Sequence, residues 1–209
     1  MKVMAVRGSP RRGGNSDILL NAFKEGVEIG GKSRWEEITV SDLRFAPCCG
    51  NGACASSGEC VYTDDASRFF STIREKDALV VAAPVYFYGF PGPLKSLMDR
   101  AQASWASGPM PAGLPRPGLA LLAGATGGRL LFDGMLRTLR YFFAAVGFTL
   151  EGGVLCRRVD GSGEIRRVSD ILASARNLGE ELANMPVRPS SGPEFGYRCF
   201  EGIAGGNRR

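Results

Sequence analysis

The 209 residues are 44% hydrophobic and 22% charged, a balance that suits one soluble domain with a substantial core. The net charge of +5 comes from scattered basic residues, with no basic helix carrying interleaved aromatics, so the surplus points to anionic small ligands and not to nucleic acid. The chain has no histidine, which removes every mechanism that needs an imidazole as base, triad member or metal ligand. No apolar run is long enough to span a bilayer. The opening MKVMAVRGSP reads as a first strand and not as a signal peptide, so the expectation is a cytoplasmic protein with no membrane partner.

In chain order, residues 2–8 form a short apolar strand that ends at Gly8. Ile18, Leu19, Ala22, Phe23 and Val27 then recur on one face, predicting a helix from Asn15 to about Ile29 capped by Asn15 or Ser16. RWEEITV (34–40) reads as a second strand, and a loop rich in Cys, Gly and Ser occupies 41–64. Asp64 or Asp65 starts a helix carrying Phe69, Phe70 and Ile73, and the wholly apolar ALVVAAP (78–84) has the composition of a central parallel strand. Proline at 91 and 93 opens a third helix, GLALLA (118–123) is a fourth strand, and a fourth helix is expected from about Arg129 to Val146. FTLEGGVLC (148–156) gives a fifth strand, weakened by Gly152 and Gly153, and a last helix covers about 165–184. Regular alternation of strand and helix means a parallel sheet covered on both faces. The expected fold class is therefore α/β, a flavodoxin-like three-layer sandwich with a five-stranded parallel sheet of order 2-1-3-4-5. One domain spans 1–185, with 41–64 as a cysteine-rich insertion, and 186–209 is read as an irregular tail.

In such a sheet ligands bind beyond the carboxyl ends of the strands, so three loops matter. The first, GSPRRGGNS (8–16), leads from a strand into a helix, where backbone N–H groups and the helix dipole converge on an anion. Ser9, Asn15 and Ser16 add donors, Arg11 and Arg12 add charge, and the glycines permit close approach. The loop lacks the lysine of a Walker motif, and Pro10 stands where a dinucleotide fingerprint needs glycine. The second loop follows Pro84 and carries Tyr86, Phe87 and Tyr88, suited to a flat, partly apolar ring, although such aromatics also serve simply to pack a loop or an interface. The third, AGATGGRL (123–130), is a glycine-rich turn that could offer N–H donors or be an ordinary tight connection.

GSPRRGGNS, PVYFYGFPGPLKSLMDR (84–100) and PCCGNGACASSGECVYTDD (47–65), in their order along the chain, resemble the NADPH-dependent FMN reductase family, and within it the iron–sulfur flavoproteins. The resemblance covers about residues 2–150. It implies that Ser9, Arg11, Asn15 and Ser16 bind the FMN phosphate, that Pro84, Val85, Tyr86 and Phe87 line the isoalloxazine, and that Ala125, Thr126, Gly127 and Gly128 touch its other edge. No side chain is expected to be catalytic, because the flavin carries the chemistry. Lys95 and Asp99 match family positions and are read as structural, a helix cap and a local ion pair. The resemblance further implies a homodimer or homotetramer. Tyr141–Phe143 and the tail are candidate interface elements, the alternatives being helix core for the first and disorder for the second.

The iron–sulfur branch carries C-x-x-C-x-x-C-x5-C, whose thiolates hold a [4Fe-4S] cubane. Cys48, Cys54 and Cys60 match its first, third and fourth positions, Asn51 stands at the second, and Cys49 is extra. Two readings stay open. Either Cys49 replaces the missing ligand, or the cluster is incomplete and the cysteines are structural or redox-active. Adjacent ligands are geometrically awkward, which weighs against a standard four-cysteine cluster. Cys156 and Cys199 read as a strand residue and a tail residue.

The expected function is FMN-dependent NAD(P)H oxidoreduction, passing electrons to a quinone, flavin, metal, nitro or protein acceptor. The competing reading is a non-enzymatic FMN electron-transfer protein, iron–sulfur or not, that serves a redox partner. A response-regulator-like domain is disfavoured, because Ala82, Ala83 and Pro84 leave no acidic phosphoacceptor at the end of the third strand.

Overall fold

A computed structural model describes residues 1–31, 33–106, 108, 116–185 and 198–203. The strands are β1 (Lys2–Arg7), β2 (Arg34–Thr39), β3 (Ala78–Pro84), β4 (Arg116–Ala123), β5 (Phe148–Arg157) and β6 (Arg198–Ile203). The helices are α1 (Asn15–Ile29), α2 (Cys54–Ser57), α3 (Asp65–Ile73), α4 (Gly92–Asp99), α5 (Gln102–Ala106), α6 (Asp133–Ala145) and α7 (Ser169–Asn184). The sheet order is β2-β1-β3-β4-β5-β6, and every pairing is parallel. The first five strands thus take the expected order 2-1-3-4-5. The sixth corrects the reading of the tail as irregular: Arg198–Ile203 pairs with β5, from Gly152 opposite Arg198 to Arg157 opposite Ile203. The remaining tail segments, 186–197 and 204–209, lie outside the described residues.

Because strand side chains alternate between faces, each central strand feeds two cores. Val3, Ala5, Val80, Ala82, Leu119 and Leu121 pack under α1 and α7. Met4, Val6, Leu79, Val81, Ala120 and Leu122 pack under α3, α4 and α6. The two helices of the first face approach closely through glycine: a Cβ on Gly26 would lie 1.9 Å from the Arg176 carbonyl oxygen, and one on Gly179 would lie 2.1 Å from that of Phe23. α3 starts at Asp64 as expected. Its carboxylate accepts from the Ser67 N–H at 3.2 Å and the Ser67 hydroxyl accepts from the Asp64 N–H at 3.5 Å, a reciprocal cap.

Two helix starts depart from the sequence reading. α1 is preceded by Gly14 with no capping side chain, so neither Asn15 nor Ser16 caps it. α6 begins at Asp133, because Arg129–Phe132 form turns whose Leu131 and Phe132 are buried and only imitate a helical face. Phe142 and Phe143 belong to the core, and Tyr141 is exposed. Lys95 and Asp99 form the expected ion pair at 2.6 Å.

Candidate functional site

The carboxyl ends of β1, β3, β4 and β5 surround a depression of about 120 Å³. Ser9, Arg11, Gly14, Asn15 and Ser16 form one wall, Pro84, Val85, Tyr86, Ala123 and Ala125 another, and Val159, Asp160 and Ser162 the third. Gly8 lets the first loop leave the sheet. Its N–H donates to the Ala82 carbonyl at 2.8 Å, and a Cβ there would lie 2.3 Å from Leu94 Cδ2. Ser9 is buried and folds back on its own turn, its hydroxyl accepting from the Arg11 N–H and donating to the Arg11 carbonyl, each at 3.1 Å. Asp17 takes the Gly13 N–H at 2.9 Å, so that amide is committed inside the loop. The Asp17 and Ile18 N–H groups donate to the Gly14 carbonyl at 3.0 Å, so without a capping side chain the first turn of α1 is left with the N–H groups of Asn15 and Ser16 and the positive end of its dipole at the depression. Arg11 stands at the rim, whereas Arg12 is turned away to pair with Asp42 at 2.5 Å.

Asn15 is used differently from a simple anion donor. Its amide nitrogen donates to the carbonyls of Val159 at 3.2 Å and Gly161 at 3.0 Å, and its oxygen accepts from the Ile165 N–H at 3.2 Å. Glu164 completes this brace by accepting from the Asp160 and Gly161 N–H groups, both at 2.9 Å. The wall formed by 159–162 escaped the sequence reading, which stopped at the loops after Gly8, Ala83 and Ala123. The signal available was VDGSG directly after the fifth strand, at the same sheet edge.

The second loop is pinned by the Val85 N–H on the Ala123 carbonyl at 2.9 Å. Tyr86 and Gly89 then exchange both backbone hydrogen bonds at 2.9 and 2.8 Å around Phe87 and Tyr88, whose φ values are 49° and 60°. This is a two-residue hairpin turn with left-handed geometry at both centres, normally the province of Asn and Gly. The turn holds Phe87 fully in solvent, and Phe87, unlike its neighbour Tyr86, is not part of the wall. Of the third loop Ala123 and Ala125 line the depression, and Thr126, Gly127 and Gly128 do not. A Cβ on Gly127 would meet the Arg158 guanidinium at 2.7 Å and one on Gly128 the Tyr88 hydroxyl at 2.8 Å, so these glycines admit neighbouring side chains. Thr126 contributes its carbonyl to the Arg158 N–H at 3.3 Å.

A second cavity, of about 390 Å³, lies in the cysteine loop. Cys48, Cys49, Cys54 and Cys60 all line it, together with Asn51, Tyr62 and Arg100. Thus the adjacent Cys48 and Cys49 do share one cavity. Gly50, Gly52 and Gly58 have φ of 65°, 72° and 71°, and these left-handed positions let so short a segment fold back on itself. The Asn51 N–H and the Tyr62 hydroxyl donate to Cys49 and pull its thiol below the usual range, and the same contact pushes the Tyr62 hydroxyl up. The cavity floor rests on Arg100, which is 3% exposed. Its guanidinium donates to Asp64 at 2.7 and 3.1 Å and to the Ala46 carbonyl at 2.8 Å, while its Nε–H is buried without a partner. Burial tends to raise the Asp64 carboxyl, but the bonds from Arg100, Ser67 and Ala46 outweigh it and hold the group below its ordinary value. Cys156, buried in β5, is by contrast pushed up to about 11 by desolvation.

Among the described residues no three Cys, Asp or Glu are gathered closely enough to hold a single metal ion. Four thiols around one larger cavity suit a polynuclear cluster instead, so the donor set fits an iron–sulfur group.

Comparison with known proteins bears on both cavities. An iron-sulfur flavoprotein of Methanocaldococcus jannaschii is 37% identical over 107 residues, 49% of this chain and 52% of that one. An iron-sulfur flavoprotein of Methanosarcina thermophila is 37% identical over 101 residues, 48% and 52% of the two chains. The chain thus spans about half the length of these curated relatives. Another iron-sulfur flavoprotein of M. jannaschii is 30% identical over 146 residues, 68% of this chain and 71% of its own. Among solved structures, an NAD(P)H:quinone oxidoreductase from Methanothermobacter marburgensis superposes with a TM-score of 0.69 at 20% identity, covering 87% of this chain and 96% of that one. An FMN-dependent NADH-azoreductase from Bacillus anthracis, in complex with FMN, gives 0.69 at 15% identity, covering 88% and 100%. These two likenesses show the fold. The profile of NADPH-dependent FMN reductases matches residues 1–153, a span that holds the uncapped α1 loop, the Pro84–Tyr86 wall and the cysteine cavity, and the chain belongs to that family.

Proposed function

We propose that the chain is an FMN-dependent NAD(P)H oxidoreductase. The observation that carries the proposal is the meeting of an uncapped helix N-terminus and a partly apolar wall in one depression. Ser9, Ser16 and Arg11, with the first-turn amides of α1, would hold the FMN phosphate. Asn15 would act through the 159–162 wall that it braces. Pro84, Val85 and Tyr86 would flank one side of the ring and Ala125 the other, with Thr126, Gly127 and Gly128 beyond its edge and Phe87 overhanging it. FMN, when bound, supplies the hydride and electron chemistry, and the chain's own groups bind, orient and exclude water. The acceptor class is a quinone, flavin, metal, nitro compound or protein. Among the described residues no helix is long and apolar enough to cross a membrane. A cytoplasmic location and a homodimer or homotetramer, with exposed Phe87 and Tyr141 as surface candidates, complete the reading.

The second reading, an electron-transfer protein without its own nicotinamide turnover, is favoured by the four-thiol cavity. One experiment separates them: FMN titration of the purified chain, followed by anaerobic mixing with NADH or NADPH. Bleaching of the flavin band by either nicotinamide, with turnover on adding a quinone, supports the oxidoreductase. No bleaching by either, but reduction by a low-potential protein donor, overturns it in favour of the carrier. No FMN uptake overturns both.

A further inference from the structure

We infer that Cys49, and not residue 51, supplies the second thiolate of a four-cysteine iron–sulfur site in this chain. The inference rests on the family membership and on the cysteine cavity, and not on the flavin depression. Three observations carry it. First, Asn51 is spent. Its side-chain oxygen accepts from the Ala53 N–H at 3.2 Å, an Asx turn that points the amide back on its own loop. An amide oxygen is in any case a poor ligand for iron that prefers soft sulfur. Second, Cys49 lines the cavity beside Cys48, Cys54 and Cys60, and the Tyr62 side chain lines it with them. A hydroxyl donor in the same cavity is suited to hold and tune a cluster thiolate. Third, Arg100 lines the same cavity, is only 3% exposed, and keeps a buried Nε–H with no partner. A buried guanidinium beside the cavity favours a guest of net negative charge, which a thiolate-ligated cluster is.

The alternatives fit less well. A mononuclear tetrathiolate needs every sulfur about 2.3 Å from one centre, and no described trio of donors is so gathered. The spacing that breaks at position 51 is recovered two residues earlier, because Gly50 and Gly52 take left-handed φ and return the chain toward the cavity. On ligation each thiol gives up its proton.

The test is anaerobic reconstitution with ferrous iron and sulfide of wild type, Cys49→Ser, Asn51→Ala and the double variant Cys49→Ser/Asn51→Cys. Cys49 and Asn51 are exposed, so none of these changes touches the core. The readouts are iron and acid-labile sulfide per chain, the paramagnetic resonance spectrum, and FMN uptake in the same samples. Wild type and Asn51→Ala should each take up about four irons and four sulfides per chain. Cys49→Ser should fall to about three irons or fewer. The double variant should recover the full content, since it restores a thiolate at the regular spacing. Full iron in Cys49→Ser, or loss of iron in Asn51→Ala, overturns the assignment. A wild-type chain that binds FMN and no iron also overturns it and leaves the flavin reading standing; iron without FMN does the reverse.

Discussion

Replacing Asn15 with alanine separates a brace from a ligand contact. In the structure all three hydrogen-bonding groups of the side chain are spent on the 159–165 segment, through Val159, Gly161 and the Ile165 N–H. At about 1 kcal/mol net per bond the ceiling is about 3 kcal/mol. Asn15 is only half-buried, so water re-satisfies part of the loss, and a cost of about 1–2 kcal/mol is expected. In a chain of this size that lowers Tm by about 2–8 °C. The effect must be present in the FMN-free protein, because the brace exists without ligand. FMN affinity should fall as well, by about tenfold if some 1.4 kcal/mol of wall ordering is transferred to binding. Asn15→Asp keeps the acceptor for Ile165 but sets a charged oxygen against two carbonyls, and it should bind FMN more weakly than Asn15→Ala. The assays are thermal melting of the FMN-free variants and FMN titration by fluorescence quenching. An unchanged Tm with a lost FMN affinity would refute the argument and make Asn15 a direct phosphate donor.

Phe87→Gly should raise the Tm of the FMN-free protein, because relief of one left-handed non-glycine residue is worth about 1 kcal/mol and a fully exposed ring forfeits no packing; the same variant should bind FMN less tightly, and a lower Tm would show that the ring packs. Asp64→Asn keeps a capping oxygen for α3 but loses the charge that faces Arg100. Since the folded Asp64 carboxyl lies below its unfolded value, its contribution is present above the unfolded pKa and vanishes as pH falls through the folded one. Wild type should therefore be the more stable at pH 7, and the two melting curves should converge in acid; a gap that persists unchanged at low pH would contradict this. At pH 8 a thiol reagent should leave Cys156 unmodified in the folded chain while it labels the exposed Cys48 and Cys49, as read by peptide mass mapping.

What the sequence made legible follows from how local each signal is. The bounds of α1 and β3 could be read because a helical apolar face and an unbroken apolar strand are short-range patterns. β6 was not legible: what makes RCFEGI a strand is the open edge of β5, a partner some fifty residues earlier in the chain. Gly153 was read as a weakness of β5, yet a Cβ there would lie 2.2 Å from the Ala120 carbonyl oxygen, so the glycine is what lets β4 and β5 approach beside the register shift at Gly118. Asn15 misled for a related reason. An Asn at a helix start is normally a cap, and only the tertiary position of 159–165 turns its amide outward.

The two cavities are separate in sequence but share one structural unit. β3 ends at Pro84 in the wall of the depression, the strained hairpin leads into α4, and α4 ends one residue before Arg100 under the cysteine cavity. Eight helical residues at 1.5 Å each make α4 about 12 Å long, a rigid spacer between the two sites. Leu94 packs against Gly8 at one end, and Asp64 grips Arg100 at the other. The stretch from Pro84 to Arg100 therefore has to satisfy two sites at once. A residue inserted into α4 would turn its later side chains by about 100° relative to the earlier ones. It could keep Leu94 seated against Gly8 or Arg100 seated on Asp64, but not both. The register of a single short helix thus couples the Gly8–Ser16 loop, through Leu94, to the cysteine loop, through Arg100 and Asp64.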